Sequence, residues 1–236
     1  MKAVRQSLTA AEVSRLLAQE YGALKWDLPQ DPLSELILTL LSQNTSGQNT
    51  RRAFSSLRER FGSWEAVAEA SVEDIAQAIK GGGLAQVKAA RIKAILETVR
   101  KERGGLDLSF LAELPLPEAK AWLRKLPGVG PKTVACVLLF SLGRPVLPVD
   151  THVYRVSRRL GLISAKVSPE RAQEELERQL PPEEFERFHL NLIEHGRRVC
   201  RARRPRCEVC ILRQECPEGS AKEEVYNEER TKSVER

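Results

Sequence analysis

Four cysteines crowd into one short segment near the C-terminus: Cys200, Cys207, Cys210 and Cys216, spaced C-x6-C-x2-C-x5-C. Four thiolates this close can enclose a metal centre, and whatever they enclose fixes the loops between them without help from hydrophobic burial. Disulfides are the first competitor. The opening MKAVRQSLTAAEVSRLL has neither the apolar core of a signal peptide nor a run long enough to span a membrane. A reducing, cytoplasmic compartment is therefore expected, where clustered cysteines bind metal or do redox chemistry more often than they cross-link. Zinc is the second competitor, but structural zinc sites usually take their ligands as two close pairs, and only Cys207 and Cys210 form one. A cubane iron–sulfur cluster takes one thiolate at each of four corners and suits a loop of uneven gaps. Spacing favours the cubane over zinc and leaves both open. Cys136, among Val134, Val137 and Leu138, reads as a small core residue.

The first gap between the cysteines reads Arg-Ala-Arg-Arg-Pro-Arg. Seven arginines and a single acid, Glu208, lie between Arg197 and Arg213. The whole chain is only moderately basic, with net charge +6, so the placement of the charge says more than its size. A basic run beside four metal-ligand candidates points to a loop facing phosphate, with Arg203 and Arg204 as candidate contacts. A solvated surface is the bland alternative.

The remaining pattern is helical. Thr9 to Glu12 is a capping box, and Asp31-Pro32 supplies a cap and a first-turn proline for a buried helix through Leu36, Ile37, Leu40 and Leu41. Further helices are expected over about 48–60, 64–70, 72–80 and 85–103, with Gly62 and Gly104 at their ends and Ser71 and Ser168 as later caps. No stretch alternates apolar and polar residues long enough to require a sheet. An all-α protein is predicted.

Two further segments carry chemistry. Leu126-Pro-Gly-Val-Gly-Pro-Lys132-Thr-Val-Ala135 places Gly128 and Gly130 between two helices. Glycines there allow a tight turn and bring peptide N–H groups close to an anion, beside the positive end of the next helix. This is a helix-hairpin-helix, which grips phosphate without reading sequence. Pro148-Val-Asp150-Thr-His152-Val-Tyr-Arg155 follows. Taken alone, Asp150 reads equally well as a helix N-cap, and His152 reads as a structural histidine.

Taken together, LPGVGPKT, VDTHVYRV and HGRRVC-x6-C-x2-C-x5-C resemble endonuclease III, the iron–sulfur branch of the helix-hairpin-helix DNA glycosylases, over about Leu33 to Cys216. The resemblance implies a base-excision-repair DNA glycosylase with AP lyase activity, removing oxidised pyrimidines through a lysine Schiff base. It puts Lys132 at the nucleophile position, Asp150 at the acid, and a [4Fe-4S] cluster on Cys200, Cys207, Cys210 and Cys216. Leu41-Ser-Gln43-Asn-Thr45 looks like the segment whose glutamine enters the duplex, and Gly83-Leu84 like the loop with a leucine wedge. The implied partner is double-stranded DNA carrying a damaged base or abasic site, met by a monomer in the cytoplasm at the prokaryotic nucleoid, with no membrane involved. Pro131 departs from the basic residue common in the family hairpin, and GGGLAQVKA departs at the wedge. Those differences bear on the lesion more than on the reaction.

The implied architecture is two helical lobes with a DNA cleft between them. Residues 29–143 would form a six-helix barrel with the hairpin. Residues 1–28 and 144–217 would form the cluster lobe, followed by a charged, mobile tail over 218–236. Two other functions stay open: a thymine or uracil mismatch glycosylase of the same superfamily, and a noncatalytic iron–sulfur protein that binds DNA. An adenine glycosylase fits poorly, because Leu36 to Ser42 contains no acid.

Overall fold

The computed structural model describes residues 8–26, 31–164 and 166–219. Most of the charged tail expected from 218 onward lies outside the described residues. The described residues are helical with no strand, and the chain divides into two compact units, 27–148 and the pair of segments 1–26 and 149–236.

The 27–148 unit is built around α2 (Pro32–Leu41), every residue of which is buried. Its sequence PLSELILTLL is apolar nearly all round, the pattern of a helix enclosed on all sides. Asp31 starts it as expected, accepting a hydrogen bond from Ser34 N at 2.8 Å. The three polar side chains of α2 are all engaged: Thr39 Oγ1 donates to Glu35 Oε1 at 2.8 Å, and Ser34 Oγ accepts from Trp64 Nε1 at 3.1 Å. Around α2 come α3 (Gly47–Phe61), α4 (Trp64–Glu69), α5 (Val72–Ala78), α6 (Ala85–Arg103), α7 (Leu116–Arg124) and α8 (Pro131–Cys136), which runs on into a wider π turn over Val137–Ser141. Their apolar faces make one continuous core from Leu33 to Val146, including Leu57, Val67, Ile75, Ile92, Leu96 and Leu123. At about 1.5–3 kcal/mol for each fully buried large aliphatic side chain, this core is the main stabilising term of the unit. Cys136 is fully buried beside it. Arg144 donates to the carbonyls of Leu111 and Leu114, and Val146 lies in the core. The compact unit accordingly runs on to Pro148.

The other unit contains α1 (Ala10–Tyr21), α9 (Thr151–Arg159), α10 (Pro169–Glu177) and α11 (Phe185–Arg198). The capping box of α1 forms in full, with Thr9 and Glu12 bonded reciprocally. Both α1 and α9 pack on α11. The α9–α11 crossing is tight at Gly196, where an added Cβ would lie 2.7 Å from His152 Nδ1 and 3.0 Å from Arg155 Nη2. Only glycine allows that approach. Among the described residues no helix is long and apolar enough to cross a membrane.

Candidate functional site

The hairpin lies between α7 and α8. Gly128 has φ +76 and an added Cβ there would meet Arg91 Cδ at 2.8 Å, so both conformation and packing require glycine. Gly130 differs from expectation. Its backbone is extended, φ −97 and ψ 178, a conformation open to any residue. Nothing lies within 4 Å of where its Cβ would be, so the absent side chain serves only to leave the peptide uncovered. Gly130 caps α8, Pro131 takes the first helical position, and Lys132 follows at the second, half-buried. Pro131 costs no hydrogen bond there, because the first N–H groups of a helix have no partner within it.

Two loops of the same unit carry the other candidates. Leu84 is 57% exposed and takes no part in the core. It also adopts the left-handed conformation, φ 52, directly before α6, a strained geometry for a branched side chain. Gln43 is tethered rather than exposed at a tip. Its Nε2 donates to the Gly128 carbonyl at 3.1 Å, and its Oε1 accepts from Arg91 Nη1 at 3.2 Å. The exposed tip of that loop is Asn44, at φ 54. Sequence reasoning passed over Asn44, although asparagine is among the residues most tolerant of the left-handed region. The glycine run before Leu84 has two functional members. Gly83 has φ +70, and Gly82 packs so closely on α3 that a Cβ would sit 3.0 Å from Ala53 Cβ.

In the second unit Asp150 caps α9, its Oδ1 accepting from His152 N and Val153 N at 2.8 Å each. The bland reading of this residue is therefore true as far as it goes. Both cap hydrogen bonds fall on the same carboxylate oxygen. His152 is half-buried beside Arg155, Nη2 to Nδ1 3.1 Å. Burial first, then Arg155 and Arg197, hold its pKa below the ordinary value against the pull of Asp150.

The C-terminal half of α9 reaches the cysteines. Arg155 Nε donates to Cys200 O at 3.1 Å, and Arg155 Nη2 to Gly196 O at 3.0 Å. Arg159 Nη1 approaches Cys200 Sγ at 3.4 Å and donates to Arg201 O at 2.7 Å. Cys200, Cys207, Cys210 and Cys216 all line one cavity, closed by Val156, Leu160, Val199 and Pro205 and bordered by Arg159 and His195. His195 places Nε2 3.6 Å from Cys210 Sγ, and Nδ1 2.8 Å from the Tyr21 hydroxyl. Burial, then the other cysteines, push the free Cys210 thiol up to about 11 against a backbone hydrogen bond from Leu212. Among the described residues no three His, Cys, Asp or Glu side chains are gathered tightly enough to hold a single metal ion. Arg203 and Arg204 are exposed on the loop between the first two cysteines, Arg204 at φ 51.

Residues 37–182, more than half of the chain, match the model of the HhH-GPD superfamily of base excision DNA repair proteins. Endonuclease III of Thermotoga maritima is 37% identical over 186 residues, 79% of this chain and 83% of that one. An Arabidopsis thaliana protein named provisionally as a DNA glycosylase is 42% identical over 170 residues, 71% of this chain but only 57% of its own length. A solved non-covalent complex of endonuclease III with DNA has the same fold, with TM-score 0.80 and 28% identity, covering 92% of this chain and 99% of that one. The hairpin, the all-helical fold and these likenesses agree: the chain belongs to the HhH-GPD superfamily of base excision DNA repair proteins and, within it, to the endonuclease III family.

Proposed function

We propose that the chain is a bifunctional base-excision enzyme, a DNA N-glycosylase that is also an AP lyase, acting on oxidised pyrimidines in duplex DNA. The observation that carries the reading is the placement of Lys132, a primary amine at the second position of a helix opened by an uncovered glycine hairpin. Such a hairpin holds a DNA phosphate by peptide N–H groups, which brings a sugar rather than a base edge to the amine.

A base stacked in a duplex hides its C1′, so the nucleotide must be extruded at a cost of a few kcal/mol. Leu84, exposed and pre-set in an unusual backbone geometry, is suited to fill the gap left behind. The Lys132 nitrogen then uses its lone pair to form a bond to C1′, and the glycosidic bond breaks with its electrons leaving on the base, which takes up a proton. The attacking form is the neutral amine, and the positive end of a helix works against the ammonium. With the sugar ring open, the C1′ adduct becomes an imine. That acidifies the C2′ proton; its loss drives out the 3′ phosphate and cuts the strand. Asp150, oriented by its own helix cap, supplies a carboxylate for the positive charge developing on the sugar and for proton transfer.

The thiol pocket fits a [4Fe-4S] cluster on Cys200, Cys207, Cys210 and Cys216. Four cysteines line one cavity without converging on a single-ion position, a spread suited to ligands at separate iron corners. When bound, the cluster cross-links the arginine-bearing loop, and the reaction itself needs only the amine and the carboxylate. Double-stranded DNA with a lesion or abasic site is the proposed partner, with Gly128, Gly130, Arg203 and Arg204 on its phosphates.

Borohydride trapping on an abasic duplex tests the nucleophile: a covalent adduct is expected that disappears in Lys132→Ala. An undiminished adduct would refute the assignment. A panel of duplexes carrying thymine glycol or uracil opposite guanine tests the lesion class, with thymine glycol expected to be cleaved faster.

A further inference from the structure

Lys88, at the end of the first turn of α6, is 2% exposed, among the largest fully buried side chains of the described residues. A buried ammonium is costly unless every donor is used. Backbone carbonyls meet the charge: Lys88 Nζ donates to the Leu41 carbonyl at 2.7 Å and to the Gly82 carbonyl at 2.8 Å. Methionine would fill the same space at no electrostatic cost, so the choice of a charged group needs a reason. Those two carbonyls supply one. Leu41 ends α2 and Gly82 ends the short turn Lys80–Gly82, and carbonyls at helix ends have lost their intrahelical partners.

What lies beyond each carbonyl gives the contact its meaning. Two residues after Leu41 comes Gln43, then the left-handed Asn44; two residues after Gly82 comes the left-handed Leu84. Left-handed non-glycine residues persist only where the surroundings over-determine them. One turn further along α6, on the same face as Lys88, Arg91 holds the Gln43 amide while packing under Gly128. Helix α6 therefore supplies two cations to the bases of three loops.

We infer that Lys88 is a positioning residue that clasps the Gln43–Asn44 and Gly83–Leu84 loops at a fixed separation, so that both enter the duplex together when a nucleotide is extruded. This rests on the reading of those loops as the ones that enter DNA. The clasp acts on extrusion and not on the chemistry at Lys132. Its loss should therefore slow reaction with duplex substrate and spare a substrate that needs no extrusion.

The test uses the full-length protein with its metal centre, taking wild type, Lys88→Met and Gly82→Ala. Lys88→Met removes the donors and keeps the stem. Gly82→Ala keeps the charge but crowds Ala53, which pushes the Gly82 carbonyl off the ammonium and gives a second variant should the first not fold. Activity is measured as kcat and KM on a thymine glycol duplex and as borohydride trapping on a single-stranded abasic oligonucleotide. Extrusion is followed by 2-aminopurine fluorescence beside a tetrahydrofuran abasic analogue in duplex. Lys88→Met is expected to lose ~30- to 100-fold in kcat on duplex with KM little changed, the scale of a misplaced positioning group. Trapping on the single strand should change by less than ~3-fold, and the fluorescence rise should be lost. Gly82→Ala should show the same selectivity at ~5- to 10-fold. Parallel losses on duplex and single strand in either variant would mean a merely structural lysine and overturn the inference, as would full duplex activity in both. Failure of the loop assignment shows separately, as wild-type protein that cleaves the duplex with no fluorescence rise.

Discussion

The two units stabilise their working parts by different means. In the 27–148 unit the candidate residues stand on loops anchored to a continuous apolar core, and the buried cation Lys88 has its donors matched to carbonyls. In the other unit the cysteine segment has one fully buried apolar residue, Leu212, while Val209 and Ile211 are exposed at 51% and 41%. Its order comes from Arg155 and Arg159 reaching out of α9 to the carbonyls of Cys200, Arg201 and Ala202. Burial sets one group of loops, while hydrogen bonds, joined in the proposed reading by a cluster on the four cysteines, set the other. If the arginine-rich segment faces phosphate as proposed, it cannot be tucked into a core, and a cross-link that works without burial would serve it.

The largest effect should come from removing the cross-link. Cys207→Ala, or stripping of the metal by chelation after oxidation, should open the bonds after Arg201, Arg203 and Arg206 to trypsin while the 27–148 unit stays resistant. Equal protection of that segment with and without metal would break the comparison. The converse lesion sharpens it: Ile92→Ala, fully buried in the apolar core, should cost about 2–5 kcal/mol in denaturant unfolding. It should leave the visible absorbance of the iron–sulfur centre unchanged until the protein unfolds.

How much of this was readable beforehand follows the range of each interaction. The caps at Thr9, Asp31, Ser71 and Ser168 depend on residues three positions away, so the sequence shows both partners at once. The same holds for the cysteine pocket, whose ligands are close in sequence, and for the Lys132 hairpin. Lys88 was not legible, because its carbonyl partners at 41 and 82 are selected by packing and a lysine on a helix ordinarily reads as solvent-facing. Gln43, a candidate for insertion, is tethered to Gly128, 85 positions away, and neither that long-range contact nor the exposure of Asn44 at the tip is visible in the local sequence. Gly130 carried the opposite lesson. A glycine at a turn suggested special geometry, and the backbone is ordinary there. Asp150 shows why motif and cap are hard to separate by sequence, since it forms a full helix cap through a single carboxylate oxygen.

A smaller effect tests what the arginine loop is for. If Arg203 and Arg204 face phosphate, replacing both with alanine should lower the slope of log K against log salt by ~2, one unit for each lost contact. An unchanged slope would leave the loop cross-linked but away from DNA. Substituting Lys101, exposed near the end of α6, supplies the control for general charge.

The smallest effect is in pH, and it falls on one side of the comparison because all three histidines, His152, His189 and His195, belong to the unit with the cysteines. His152 is held below its ordinary pKa, first by burial and then by Arg155 and Arg197; Asp150 and the Gly196 backbone act against that shift without reversing it. The unfolded chain, with a histidine pKa of ~6.5, therefore binds more protons than the folded protein just below that pH. Stability rises with pH wherever the unfolded state binds more protons. The contribution from His152 is thus complete above ~6.5 and declines as pH falls from there through the lower folded value. Between pH 6.5 and 5 carboxylates in both units are still mostly ionised, so histidines dominate the slope. His152→Gln, which keeps a polar group beside Arg155, should flatten the fall of the denaturation midpoint over that range. The midpoint of the 27–148 unit, followed through Trp64 and Trp122, should stay level. If that unit showed the same slope, or if the variant kept the full wild-type fall, the burial of His152 at the Gly196 crossing would not be setting its charge.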